Sequence, residues 1–456
     1  MQAKMQKSNK INYQAMNYAL RKLRNRPNKE NTVISFMENT NNATVFAYLH
    51  DTSDIDDIQS LGANAIREAH NQFPDQNIVV ELLYARWLNT QIKYFFEKWV
   101  MLVSKETYYA KTEKHNTNIT IKGAQSKNLS SAIEWINKAI RLTTQSANII
   151  TPDYLEDFCK KELDKNHWLS VKIMKQKELE KENMWCFLWV NQWSRFEPRL
   201  ITIEYNPTKS KKPPIALVGK WLTYDNWGMY MKPYPHANDM HGDMWWAATV
   251  LWIMRSLKEY GITKRVIWVV WIAENMVDAN AYRNGDVLYS RSWKTVYVQH
   301  SDAEWRLVLA DVLSYIGDTY NPSFTIDYAT LTWACMRALG EHYTWVMWYN
   351  DKAIHRLINI GNTKTNDKAR QLPLDKDCVD WLKHTVADLS NLANFDWLMW
   401  SSVAWAFLSQ FVRNPQQRIH CDIAWTALRS KLKRSYDIQQ WVWTWAMVHT
   451  TLEYLR

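Results

Sequence analysis

The stretch AATVLWIMRSLKEYGITKRVIWVV, Ala247–Val270, holds the pattern on which the fold turns. Its first part, Ala247–Tyr260, sets apolar residues at helical spacing, and RVIWVV (Arg265–Val270) is a short continuous apolar run of strand type. The same alternation extends outward. RLITIEY (Arg199–Tyr205), PIALVG (Pro214–Gly219), TVYVQ (Thr295–Gln299), FTIDYATL (Phe324–Leu331) and HCDIAW (His420–Trp425) are strand candidates. RLVLADVLSYIG (Arg306–Gly317) and SSVAWAFLSQFV (Ser401–Val412) are helix candidates. Apolar strands alternating with amphipathic helices predict a layered α/β domain with a mostly parallel central sheet flanked by helices. In such sheets sites collect at the carboxyl ends of the strands.

Toward the N-terminus the pattern is different. Between about residues 30 and 110, short apolar runs (TVISFM, TVFAYLH, NIVVELLYA) mix with a helix-like stretch around IREAHNQF. This predicts a smaller α/β domain over residues 1–125, ahead of a larger one over 131–456. The polar segment Lys111–Lys127 reads as a surface hairpin or a linker. SSAIEWINKAIRLTT is helical by spacing, and Thr151 is placed to cap a helix begun by Pro152. The run Lys175–Glu182 reads as a solvated helix face.

A chain of 456 residues has room for two domains with substantial cores, and 47% hydrophobic with 22% charged residues fits a soluble globular protein. The opening MQAKMQKSNK lacks the apolar core of a secretory signal, and no apolar run is long enough to span a bilayer. Five scattered cysteines, Cys159, Cys186, Cys335, Cys378 and Cys421, form no CxxC pair, which fits a reducing cytoplasm. The net charge of +10 suits an anionic partner such as nucleic acid. Its densest cluster, Arg21, Lys22, Arg24, Arg26 and Lys29, reads first as a solvated basic helix end and only second as a nucleic-acid contact.

Three segments at the ends of predicted strands concentrate charge. PPIALVGKWLTYDNWGMYMKP (Pro213–Pro233) carries Lys220, Asp225 and Lys232; NDMHGDMWWAATV (Asn238–Val250) carries Asp239 and Asp243; SDAEWR (Ser301–Arg306) carries Asp302, Glu304 and Arg306. On an extended segment residues i, i+2 and i+4 share a face, so Asp302, Glu304 and Arg306 are expected to aim at one point. Two carboxylates there repel unless protonated or neutralised by cations, and Arg306 offsets only part of that. Oxygen-rich sites of this kind suit Mg²⁺, Mn²⁺ or Zn²⁺, with bridging carboxylates shared between two metals. Solvated strand ends are the alternative, and spacing alone does not choose between them.

These segments closely resemble the leucyl aminopeptidases, or cytosol aminopeptidases, a family of two-metal exopeptidases. The family signature Asn-Thr-Asp-Ala-Glu-Gly-Arg-Leu reads here as His300-Ser301-Asp302-Ala303-Glu304-Trp305-Arg306-Leu307. The family's Gly-Lys-Gly…Asp-Ser-Gly-Gly…Lys-Pro block reads as GKWLTYDNWGMYMKP, Gly219–Pro233. The likeness continues through AENMVDANAYRNGDV, DYATLTWAC, QLPL, HTVADLSN and CDIAWTA, and upstream over ANIITPDYL and FEPRLITIEY, covering about residues 131–456. Asn226 replaces the family's usual Ser, and His300-Ser301 replaces Asn-Thr.

The resemblance implies a set of roles. Lys220, Asp225, Asp243 and Glu304 would hold one divalent metal, and Asp225, Asp302 and Glu304 the other, with Mn²⁺ or Zn²⁺ as the ions. An ammonium has no lone pair, so Lys220 would ligate as a neutral amine, which an adjacent dication favours. A water between the metals would attack the peptide carbonyl, and Lys232 would polarise that carbonyl. Arg306 would hold a bicarbonate ion acting as general base. The substrate's free α-amine would sit on a metal and Asp243, limiting cleavage to the first residue, of leucine type. Met240 and Thr330-Leu331-Thr332 match the family's substrate pocket. Also implied are peptide substrates and a homohexamer of two stacked trimers, with the N-terminal domain organising it; some relatives bind DNA. The family binds its metals without histidine, so His236 and His241 are not expected as ligands, and no HExxH occurs. Met229, Met231, Met240 and Met244 are expected in pocket wall and core rather than in a copper site.

The composition is abnormal in one respect: 27 Trp against 10 Gly, whereas glycine alone makes up about 7% of an ordinary chain. Tryptophan stands where the family pattern has glycine at Trp221, Trp227, Trp245, Trp246, Trp293, Trp305, Trp333 and Trp425, and less firmly at Trp168, Trp185 and Trp193. Glycine serves such loops by permitting φ > 0 and close backbone approach. Overpacking costs about 1–3 kcal/mol per site, so a dozen insertions would exceed the roughly 5–15 kcal/mol that holds a fold. The replacement therefore reads as glycine codons (UGA, in some bacterial codes) rendered as tryptophan. A pseudoenzyme or DNA-binding scaffold with a tryptophan-blocked site is the competing reading.

Overall fold

The computed structural model describes residues 32–39, 42–48, 55–72, 78–82, 90–104, 119–124, 129–163, 169–229, 240, 245–329, 339–393, 399–423, 426 and 446–456. It divides into two compact units, residues 1–137 with 433–440, and residues 138–432 with 441–456.

In the first unit, β1 (Thr32–Asn39) and β2 (Asn42–Tyr48) form an antiparallel hairpin against which α1 (Ile55–Gln72) packs. α1 also packs on α2 (Thr90–Ser104). Gly62 makes that crossing close, because a Cβ there would lie 2.6 Å from the Phe96 carbonyl oxygen. β3 (Ile78–Glu81) pairs in parallel with β4 (Ile119–Lys122). The described part of Lys111–Lys127 thus holds a parallel strand, neither hairpin nor linker, on which Ile119 and Ile121 alternate with Thr120 and Lys122. The division between units falls within α3 (Leu129–Thr144).

The second unit opens with α4 (Pro152–Glu162), whose Thr151 side chain accepts a hydrogen bond from the Tyr154 N–H as the sequence predicts. Next come β5 (Leu169–Met174), α5 (Gln176–Lys181), α6 (Trp185–Asn191) and β6 (Arg199–Tyr205). Then follow β7 (Ile215–Asp225), α7 (Trp245–Ser256), β8 (Val266–Asn275) and the short β9 (Val287–Tyr289) and β10 (Thr295–Tyr297). α8 (Glu304–Tyr320), β11 (Phe324–Ala329), β12 (Thr344–Met347) and α9 (Asp351–Ile360) continue the chain. It closes with β13 (Ala369–Gln371), α10 (Asp377–Asp380), β14 (Leu389–Ser390), α11 (Trp400–Ser409), β15 (Arg418–Asp422) and α12 (Val448–Leu455).

Eight strands make one mixed sheet in the order β13-β12-β15-β11-β7-β8-β6-β5. Its centre, β15-β11-β7-β8, is parallel throughout, while β6 and β5 continue it antiparallel on one side. Both faces are covered, which is why β7 and β8 read as near-continuous apolar runs rather than alternating ones. Ile267, Val269, Trp271 and Ala273 of β8 join α6, α8 and α11 in one core. The intervening β8 residues face the opposite side, where α7 packs on β7 and on α12. The chain passes from β7 to β8 on one side, then returns to lay β11 on the other side of β7. That reversal opens a crevice at the carboxyl end of β7.

The central strands also carry a buried ion cluster. Arg418 donates to Asp327 at 2.6 and 3.0 Å, and His420 Nδ1 lies 2.5 Å from the same carboxylate, all fully buried. Burial alone would raise the Asp327 carboxyl; Arg418 and His420 outweigh it and hold the group at about 2. The cluster fastens β11 to β15 in the register that pairs Asp327 with His420. Cys159, Cys186, Cys378 and Cys421 are free and buried. Among the described residues no helix is long and apolar enough to cross a membrane.

Candidate metal centre

Asp225 is the last residue of β7, and Lys220 lies five positions before it on the same strand. In a regular strand an odd spacing sends two side chains to opposite faces. Here the register slips between Leu222 and Tyr224, leaving Thr223 as an extra residue. The Thr223 hydroxyl donates toward Glu274 Oε1 at 3.2 Å, in contact with the partner strand. This β-bulge reverses the alternation, so Lys220 and Asp225 both turn toward the N-terminus of α8. Asp225 Oδ1 accepts from the Trp227 N–H and from Asn275 Nδ2, each at 3.0 Å.

The partner segment is not extended, contrary to the geometry expected for SDAEWR. Ser301–Ala303 forms a single 3₁₀ turn and Glu304 begins α8. The short polar segment and its neighbours supply local hydrogen bonds that a strand would forgo. His300 Nδ1 accepts from the Asp302 N–H at 3.1 Å. The Ser301 hydroxyl donates to the Trp227 carbonyl at 2.6 Å, and the Ser301 carbonyl accepts from the Tyr282 hydroxyl at 2.7 Å. The three acidic side chains nevertheless meet: ligand oxygens of Asp225, Asp302 and Glu304 all lie within 4.8 Å of one another. Asp225 and Glu304 are buried and Asp302 is half-buried. Lys220 Nζ, itself buried, stands 3.1 Å from Glu304 Oε1.

Arg306, on the first turn of α8, is buried and donates from Nη1 to the Asn391 carbonyl at 2.8 Å. Burial lowers its guanidinium to about 10 despite the opposing pull of Glu304 and Asp302, so it remains a cation at neutral pH. Burial, with Arg306 adding to it, pushes His300 below 6.5, which suits its ring as a neutral acceptor. Tyr282 is driven well above 10 by burial first and by Glu304, Asp225 and Asp302 after it, so its hydroxyl keeps the proton it donates. Asn275, Tyr282 and Asn391 had no role assigned from sequence, although all sit within the stretches that carried the resemblance. Hydrogen-bonding side chains of this type give no spacing signal.

Met240 is half-buried. Lys232, Asp243, Thr330, Leu331 and Thr332 lie outside the described residues, as do His236, His241, Met231, Met244, Cys335, Trp168, Trp333, Trp425 and the Arg21–Lys29 cluster. Two of the suspect tryptophans hold strained backbone, and one of them, Trp227, bears on the site through the N–H it gives Asp225. Trp227 holds φ at 65° and Trp293, in the turn between β9 and β10, at 64°, both in the left-handed region.

A mixed α/β sheet with an oxygen-rich cluster and a buried lysine at the carboxyl end of its central strands defines the class of this molecule. Residues 137–448 match the model of the cytosol aminopeptidase family, catalytic domain, and the chain belongs to that family. It is 39% identical over 284 residues to a probable cytosol aminopeptidase of Histophilus somni, a match covering 61% of this chain and 56% of that relative. The alignment thus spans little more than half the length of such curated relatives. The crystal structure of the cytosol aminopeptidase from Coxiella burnetii is similar at 25% identity with a TM-score of 0.79, covering 93% of this chain and 88% of that one. The bottromycin maturation enzyme BotP in complex with Mn shares the fold, with a TM-score of 0.77 at 23% identity over 89% of this chain and 88% of that one.

Proposed function

We propose that the chain is a metal-dependent aminopeptidase that releases N-terminal residues, of leucine type, from peptides. The observation that carries this reading is the convergence of Asp225, Asp302 and Glu304 within 4.8 Å at a buried strand end. Three carboxylates so close repel strongly, and Lys220 and Arg306 offset only two of the charges. The donors are hard oxygens plus one amine, a set that fits divalent cations such as Mn²⁺ or Zn²⁺. Lys220, Asp225, Asp243 and Glu304 would hold one ion, and Asp225, Asp302 and Glu304 the other. When bound, such a pair supplies acidified water and Lewis-acid polarisation of a carbonyl.

The chain's own residues supply the rest. Lys220, whose Nζ donates to Glu304 Oε1 at 3.1 Å, would join the site as a neutral amine ligand. Arg306, a buried cation with one nitrogen committed to the Asn391 carbonyl, is suited to a small anion such as bicarbonate, the proposed general base. Lys232 would donate to the scissile carbonyl oxygen as negative charge develops there. Asp243 would accept the free α-amine, restricting cleavage to the first residue. Met240 and Thr330-Leu331-Thr332 would line the side-chain pocket. A homohexamer in the cytoplasm fits the family.

The test is hydrolysis of leucine amide by protein stripped with chelator and reloaded with Mn²⁺ or Zn²⁺. Activity is expected only after reloading, with about two ions per chain by elemental analysis, as a two-metal centre requires. Full activity in the stripped protein would overturn the proposal.

A further inference from the structure

The segment that presents Asp302 and Glu304 is held by one carboxamide. Asn391, fully buried just beyond β14, accepts at Oδ1 from the Gln299 N–H at 2.8 Å and the His300 N–H at 3.3 Å. Its Nδ2 donates to the His300 carbonyl at 2.8 Å and toward the Ala303 carbonyl at 3.4 Å. Its own backbone N–H donates to the Tyr297 carbonyl at 2.9 Å, and its carbonyl accepts from Arg306 at 2.8 Å. Both faces of the amide and both backbone groups are therefore spent on residues 297–306. No other side chain among the described residues spans that turn so fully. β14 is parallel to β10, which aims the carboxamide past the end of β10 at the turn that follows.

We propose that Asn391 is a positioning residue of the metal centre: it fixes the turn that carries Asp302 and Glu304, and thereby sets metal affinity. This rests on the aminopeptidase reading above. Only a group with an acceptor on one side and a donor on the other satisfies two N–H groups and two carbonyls at once. Aspartate keeps the acceptor and turns the donor into a second acceptor facing carbonyl oxygens, so N391D opens the turn without changing its volume.

The experiment compares N391D with N362D by titration calorimetry of Mn²⁺ into the stripped full-length protein. Asn362 makes a similar clamp on Ala369, accepting its N–H at 2.9 Å and donating toward its carbonyl at 3.3 Å, in the edge region near β13. N391D is expected to weaken Mn²⁺ binding about 10–100-fold, the range for groups that orient metal ligands, and N362D to leave it unchanged. Equal affinity in N391D and the parent, or equal weakening in N362D, would overturn the proposal. Should N391D fail to fold, N391S, which retains one donor and one acceptor, is read on the same scale and expected to weaken binding. If the parent itself binds no Mn²⁺, the aminopeptidase reading falls. The clamp is then judged by hydrogen exchange, expected to be faster at the Gln299 and His300 amides in N391D.

A separate observation concerns the tryptophans. Trp227 and Trp293 hold left-handed backbone, which a bulky side chain adopts at a cost of about 1–2 kcal/mol. Trp221, Trp268, Trp271 and Trp405 are fully buried, and their indole N–H groups meet no acceptor among the described residues. A buried unsatisfied donor costs about 1–3 kcal/mol, and here there are four. We infer that these six positions are glycine in the protein as its own cell makes it. Sequencing the gene is expected to show UGA at them, and peptide mass spectrometry of protein from the source cell to show glycine. UGG codons, or tryptophan in those peptides, would overturn the inference.

Discussion

Replacing Glu304 with glutamine is expected to lower kcat/KM for leucine amide by about a thousandfold or more, corresponding to about 4 kcal/mol of lost transition-state stabilisation. Glu304 is buried at the first position of α8, stands 3.1 Å from Lys220 Nζ and lies within 4.8 Å of the Asp225 and Asp302 oxygens. As the proposed bridge between two ions, its charge enters the affinity for each. Glutamine preserves shape and can still accept from Lys220, so E304Q exchanges a charge-assisted hydrogen bond for an ordinary one, a loss of about 1–2 kcal/mol. It also removes one of three mutually repelling charges. Unfolding of the stripped protein in urea should therefore shift little, while Mn²⁺ uptake and hydrolysis disappear together. Glu304→Ala would be less informative. It removes a buried partner 3.1 Å from Lys220 and leaves a cavity beside it, a defect of about 3–5 kcal/mol that mixes unfolding with loss of function. Retention of parental activity by E304Q would remove Glu304 from the centre.

The layered fold was readable because strands covered on both faces are continuously apolar, as in RVIWVV, and because helices announce themselves at a spacing that strands do not share. The carboxylates of the site were readable as residues, but their convergence was predicted by the wrong geometry. SDAEWR was expected to be extended, with alternate residues on one face; a 3₁₀ turn running into α8 achieves the convergence instead. Nor does alternation explain how Lys220 and Asp225 meet, since five positions of regular strand would part them. The odd spacing was itself the signal of a bulge, and Thr223 is the residue that absorbs it. What no local pattern contains is the long-range hydrogen bonding of Asn391 and Tyr282, whose partners lie 85 or more and 19 positions away. In the first unit β4 was missed because its apolar alternation, Ile119 and Ile121 against Thr120 and Lys122, is too short to stand out from the polar segment around it.

Substituting glycine for tryptophan tests the same structure with an unusually large difference in sign. Trp221 follows Lys220 on β7 and stacks on Trp268 of β8 with ring centroids 6.2 Å apart, both fully buried. If those indoles belong to the evolved core, W221G leaves a cavity and costs about 3–5 kcal/mol or more. If glycine is the natural residue, neighbouring side chains were selected to fill the space without an indole, and W221G is expected to stabilise. Trp227 and Trp293 add an independent term, because glycine adopts φ near 65° without a Cβ clash, a gain of about 1–2 kcal/mol at each. The quadruple variant W221G/W227G/W268G/W293G is therefore expected to unfold at higher denaturant concentration than the chain as written, by urea titration. Trp227 also lends its N–H to Asp225 and its carbonyl to Ser301. Relaxing its backbone should for that reason raise Mn²⁺ affinity along with stability. A quadruple variant less stable than its parent by several kcal/mol would establish the tryptophans as native packing. The metal centre would then have to work inside a core crowded with indoles.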